Sequence, residues 1–195
     1  MSEQTSSVST PASEPNVSAA LPLDAGSAVA ELHQLLLTTE DIVAFLDQLT
    51  ALTVKVLPGD VSCGLTLRRE HGAFTVASSD DRARQVDEVQ YGHDEGPCLR
   101  SLATGEVVVV EDLAEDDRWG GYRAPALGHG VRSSLSLPLH TDGEVLGALN
   151  IYATTPRAFG PAEQLVARRF ADEASSAKRR ATSCSTGPNT RGAVA

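Results

Sequence analysis

The chain has 195 residues and a formal net charge of −10, a length that suits one domain with tails and a charge that argues against a nucleic-acid-binding surface, since phosphate contacts need clustered Lys and Arg. Aromatic residues make up only 4% of it, so the core must come from Leu, Val, Ile and Ala. The cysteines, Cys63, Cys98 and Cys184, are odd in number and widely spaced, which excludes a paired-cysteine zinc site and a disulfide framework.

Residues 1–25 are rich in Ser, Thr, Pro and Ala and carry no hydrophobic period. Such a segment cannot bury enough surface to offset its ordering entropy, so a disordered tail is expected. An ordered domain is expected over 26–180, and a second disordered tail over 181–195. Val29, Leu32 and Leu36 share one face of a helix over 28–37. Ile42, Phe45, Leu46, Leu49, Thr53 and Val56 then follow the helical period. Thr38 or Thr39 is the expected cap of this second helix, with Glu40 and Asp41 in its first turn.

The period then changes to two. Val61, Cys63, Leu65 and Leu67 alternate with smaller or polar residues, Glu70-His71-Gly72 turns the chain, and 74–77 returns as a strand. The charged stretch 80–90 reads as a helix or a loop. Gly96-Pro97 opens a short helix that ends at Gly105. The apolar run 107–110 is consistent with a strand buried on both faces. A polar loop follows, with one or two helical turns over 123–128. Alternating segments at 131–139 and 145–152 flank the turn Thr141-Asp142-Gly143. Gly160-Pro161 opens a closing helix with Val166, Phe170, Ala174 and Ala177 on one face. Strands gathered into hairpins and flanked by helices imply an α+β plan with a mostly antiparallel central sheet of five to six strands.

Several segments carry a resemblance in this same order. They are Glu95-Gly96-Pro97-Cys98, Thr104-Gly105, Val109-Val110-Glu111-Asp112-Leu113, Arg132-Ser133-Ser134-Leu135-Ser136-Leu137-Pro138-Leu139 and Gly147-Ala148-Leu149-Asn150. The set, spanning 32–177, resembles GAF domains, in particular those that precede ANTAR RNA-binding domains in actinobacterial regulators. An ANTAR unit has no counterpart after residue 181, so direct RNA binding is not expected. The basic residues Arg168, Arg169, Lys178, Arg179 and Arg180 read as a solvated helix face.

The resemblance implies a sensory module with a small-molecule pocket between one sheet face and the covering segment 91–130. In that segment Trp119, Tyr122 and Arg123 are candidates to stack on or clamp a ligand, and Asp116 and Asp117 to accept hydrogen bonds. The alternative for Trp119 and Tyr122 is an apolar plug in an acidic loop. Ser134, Ser136 and Asn150 face either the pocket or a packed helix. Cys98 near a helix N-terminus is a redox candidate, since that position lowers a thiol pKa while Asp94 and Glu95 oppose it. Some GAF enzymes reduce free methionine sulfoxide with cysteines. Their chemistry needs a further cysteine in the following loop, and 111–130 contains none.

His33, His71, His93, His129 and His140 lack metal-ligand spacing. The resemblance names no cofactor, and neither bilin attachment nor cyclic-nucleotide binding is supported by its motifs. No basic stretch followed by an apolar core opens the chain, and no apolar run approaches the ~20 residues of a bilayer span. A cytoplasmic, non-enzymatic protein without membrane contact is therefore expected. Flanking helices in this family often pair, so a homodimer through the terminal helices is expected. A regulatory protein partner or a ligand-free docking scaffold are the remaining expectations.

Overall fold

The computed structural model describes residues 23–38 and 41–185. The chain runs α1 (Leu23–Thr38), α2 (Ile42–Val56), β1 (Val61–Arg69), β2 (Gly72–Ser78), α3 (Asp81–His93), α4 (Pro97–Thr104), β3 (Val108–Val110), α5 (Gly120–Gly128), β4 (Ser133–Thr141), β5 (Glu144–Ala153) and α6 (Pro161–Ser185). The strands form one antiparallel sheet in the order β2-β1-β5-β4-β3. This is the α+β plan, with five strands.

Both hairpins follow from turn chemistry. Thr141 pairs with Glu144 across a two-residue loop, and Asp142 and Gly143 both have positive φ, 52° and 86°. Asp-Gly supplies that backbone at low cost, and its twist matches the flanking strands. Arg69 pairs with Gly72 across the second two-residue loop.

The alternation along each strand divides the sheet into two unlike faces. Cys63, Leu65, Leu135, Leu137, Leu149 and Ile151 point to one side. There they meet Phe45 and Leu49 of α2, Phe170 and Ala174 of α6, and Leu32 of α1, which lies against both of those helices. Each large apolar side chain buried here contributes about 1.5–3 kcal/mol. The opposite face carries Ser62, Gly64, Thr66, Ala148, Asn150, Tyr152, Ser134 and Ser136, all buried. Helices α3, α4 and α5 roof it.

Several boundaries differ from the sequence expectation. The cap of α2 is Asp41, whose side chain accepts from Val43 N at 2.9 Å and Ala44 N at 3.4 Å. Asp41 thus satisfies two of the orphan donors at the helix start. Residues 39 and 40 lie outside the described residues. The stretch left open at 80–90 is the full helix α3, capped by Asp80 and closed by Asp94 with φ 50°. Helix α5 begins three residues before 123. Helix α1 begins at Leu23 and α6 runs to Ser185, past the limits expected at 26 and 180. The rest of both expected tails lies outside the described residues.

Candidate functional site

Two rows cross the roofed face of the sheet. Gly64, Asn150, Ser136 and Val108 are register neighbours in one, and Ser62, Tyr152, Ser134 and Val110 in the other. Above them, α3 buries Ala83, Val86, Asp87 and Gln90, a single helical stripe. Asp87 is a carboxylate in a core position.

Its seat is cut by Gly64. A Cβ at that residue would lie 2.4 Å from Asp87 Oδ2. The carboxylate is then held on several sides. Tyr152 Oη donates to Oδ1 at 2.5 Å, Asn150 Nδ2 donates to Oδ1 at 3.1 Å, and Thr75 Oγ1 donates to Oδ2 at 2.9 Å. Burial pushes the Asp87 pKa up to about 6, against the pull of these hydrogen bonds. Asn150 Nδ2 also donates to Thr66 Oγ1 at 3.0 Å, and the Tyr91 hydroxyl lies 2.8 Å from Thr66 Oγ1 and 3.0 Å from Thr75 Oγ1.

The network runs on into the short helix α4. Gln90 Nε2 donates to Tyr152 Oη at 2.8 Å, and Gln90 Oε1 accepts from Cys98 N at 2.8 Å. That bond satisfies one of the orphan donors of the α4 N-terminus. Gly96 has φ 144°, and a Cβ there would lie 2.3 Å from Gln90 Oε1. Gly96 is thus required by the packing of Gln90 against it.

A second junction closes the roof. Glu95 Oε1 accepts from Gly120 N at 2.8 Å and Oε2 from Gly121 N at 2.6 Å, at the start of α5. These backbone donors hold the Glu95 carboxyl below its ordinary range. Gly121 is suited to this approach, since a Cβ there would stand 3.0 Å from His93 Nδ1.

The candidates named from the sequence separate into three groups. Tyr122, Ser134, Ser136 and Asn150 come together inside, each essentially fully buried beside the Asp87 network. Tyr122 Oη, Ser134 Oγ, Ser136 Oγ and Asn150 Oδ1 have no hydrogen-bond partner. Trp119 sits in the roof, 4% exposed, packed in the cluster of Val108, Val110, Leu113 and Ala126, with Nε1 donating to Asp116 Oδ2 at 3.2 Å. Asp116, Asp117 and Arg123 are placed on the outer side. Asp116 is gripped by Arg118 at 2.5 Å, Asp117 is 93% exposed and pairs with Arg123 at 2.6 Å, and Arg123 also reaches the Ala114 carbonyl. With Glu111, Glu115 and Arg157 the two aspartates line an outer groove, remote from the inner residues.

Cys98 is placed differently from its redox expectation. The residue is fully buried against Leu102 and Ala148. Burial, and then the Asp87 charge, push its thiol up to about 12. This outweighs the lowering expected at a helix N-terminus. Among the described residues no group of three His, Cys, Asp or Glu could hold a metal ion, and no helix is long and apolar enough to cross a membrane.

Sequence reasoning missed Asp87, Tyr152, Gln90, Thr66, Thr75 and Tyr91. A signal existed for the first. In a helix over 81–93, Asp87 shares a stripe with Ala83, Val86 and Gln90, where a carboxylate is out of place.

The fold recurs in solved structures. The GAF domain of a phosphoenolpyruvate-protein phosphotransferase from Coxiella burnetii is 18% identical, with a TM-score of 0.65 over 84% of this chain and 97% of that one. Free methionine-R-sulfoxide reductase from Neisseria meningitidis, in complex with its substrate, is 16% identical, with a TM-score of 0.63 over 82% of this chain and 91% of that one. The phycoerythrobilin-bound GAF domain of a cyanobacterial phytochrome is 16% identical, with a TM-score of 0.64 over 85% of this chain and 100% of that one. No curated protein matches the sequence. The model of the GAF domain matches residues 39–177. That span runs from the lead-in to α2 to the buried part of α6, so the chain belongs to the GAF domain family.

Proposed function

We propose that this chain is a cytoplasmic sensory module that takes a small molecule between the sheet and the roof of α3, α4 and α5. The observation that carries this reading is the set of four buried polar atoms without partners, Tyr122 Oη, Ser134 Oγ, Ser136 Oγ and Asn150 Oδ1. Leaving a buried polar group unpaired costs about 1–3 kcal/mol, and folded proteins rarely do so. Ser134, Ser136 and Asn150 lie on the roofed sheet face and Tyr122 comes from α5 in the roof, and a single small guest with matching groups satisfies them together.

Transmission to the terminal helices rides on β4. Ser134 and Ser136 face the roofed side, while Leu135 and Leu137, alternating with them, pack into the layer that contains α1, α2 and α6. A guest that shifts β4 therefore changes the seat of the helices. Val43 and Leu165 are exposed large apolar residues on α2 and α6, and they support pairing of two copies through this helical layer. The resemblance read from the sequence, to GAF domains that precede ANTAR domains, extends the proposal to transcription regulation through a protein partner. The role is non-enzymatic, supported by the buried, high-pKa Cys98.

Native mass spectrometry of freshly purified protein tests the reading, with the Tyr122→Phe variant beside it. The expected result is a dimer carrying a small molecule. Tyr122→Phe should keep the fold and bind that molecule about tenfold more weakly, the worth of one hydrogen bond. A clean apo protein whose thermal stability no small-molecule collection raises would refute ligand sensing and favour the docking scaffold.

A further inference from the structure

The chemistry of the roofed face restricts what can occupy it. Its lining comes from Thr66, Thr75, Asp87, Gln90, Asn150 and Tyr152, together with the four unpartnered groups. Among the described residues, Lys, Arg and His are missing from the buried residues of this region; Arg82 reaches its edge, where Nε donates to Ser62 Oγ at 2.7 Å, and its guanidinium is paired with Asp60. Among the described residues the fully buried acid within is Asp87.

The hydrogen-bond directions point the same way. Asn150 Nδ2 is committed to Thr66 and Asp87, so the amide is oriented and its oxygen is turned away as a bare acceptor. Asp87 accepts three bonds from side chains, leaving one of its four lone-pair sites. The hydroxyls of Ser134, Ser136 and Tyr122 can each accept as well as donate. An entering group therefore meets an excess of acceptors and a fixed negative charge. An anion would meet that charge while the guanidinium of Arg82 at the edge is already paired with Asp60, in a site where burial magnifies the repulsion.

We infer that the ligand of this module is a small organic cation with N–H groups, a primary ammonium compound without an acidic group, its nitrogen seated on Asn150 Oδ1 and Ser136 Oγ within the field of the Asp87 carboxylate. The inference rests on the sensory reading above. The net charge of −10 acts in the same sense, because an acidic surface raises the local concentration of cations.

The test uses three probes of similar shape and different charge, ethylammonium, acetamide and acetate, titrated at constant ionic strength and followed by thermal shift and calorimetry. Ethylammonium should bind at least tenfold more tightly than acetamide, and acetate should not bind. Asp87→Asn should remove the tenfold preference, and Ser136→Val, which leaves Asp87 in place, should remove binding itself. Ethylammonium binding that Ser136→Val leaves unchanged would place the cation elsewhere and overturn the inference. Acetate binding that Ser136→Val removes, or a co-purified acidic molecule in the native mass spectrum, would also overturn it while leaving the sensory reading intact. If no probe binds and nothing co-purifies, both fall.

Discussion

Asp87 gives the most direct test of the buried network, because its protonation ties stability to pH. Its folded pKa is about 6 and its unfolded value is 3.8. The folded state therefore holds the proton more tightly than the unfolded state. The stability this contributes is fully present below the unfolded pKa and is lost as pH rises through the folded pKa. Taking the two pKa values, the contribution is about 1.4 kcal/mol at pH 5 and below about 0.1 kcal/mol at pH 7. Asp87→Asn abolishes the titration and leaves every other acid in place. Carboxyls held low by partners, such as Asp60 beside Arg82 and Asp116 beside Arg118, lose stability on acidification in both proteins and cancel in the difference. Urea unfolding followed by the fluorescence of Trp119 should therefore show a change in the gap between wild type and variant. On going from pH 7 to pH 5 the gap should move by about 1.3 kcal/mol in favour of wild type, or roughly 3–5 °C in Tm for a domain of this size. An equal gap at the two pH values would refute the reasoning, since Asp87 would then titrate alike in folded and unfolded chains.

Three further outcomes are expected. Gly64→Ala drives a methyl group to within 2.4 Å of Asp87 Oδ2 and should cost about 1–3 kcal/mol in chemical denaturation; an unchanged midpoint would show that the carboxylate is not fixed above Gly64. Phe170→Ala empties a fully buried position between α6 and the sheet and should cost about 3–5 kcal/mol, read as a loss of cooperative unfolding near physiological temperature. Cys98 should be modified by a thiol reagent at neutral pH only as fast as the roof opens, with peptide mapping to separate it from the other cysteines; rapid labelling of the native protein would contradict its burial.

Chain order, family and the type of every element except α3 were legible from local pattern alone. Period-two runs with Asp-Gly or His-Gly turns define hairpins because side-chain direction and turn backbone are set within a few residues. The Gly-Pro starts and the motif set from Glu95 to Asn150 belong to the same local class. The sequence thereby determined the α+β plan and the strand pattern, and it singled out Ser134, Ser136 and Asn150 as polar residues on otherwise apolar strands.

Tertiary structure decided which sheet face those residues occupy. A strand alternates identically whether its polar side meets a helix stripe or a chamber, and only the packing of α2 and α6 against Leu135 and Leu149 assigned the other face to α3, α4 and α5. It also separated Tyr122 from its loop neighbours. Tyr122 turns inward from the first turn of α5, while outside Asp117 pairs with Arg123 and Asp116 with Arg118. Asp87 shows the reason most plainly. It lies 63 residues from Asn150 and 65 from Tyr152 in the chain. Its partners, its raised pKa and the glycine that makes room for it exist only once α3 has been laid across the sheet.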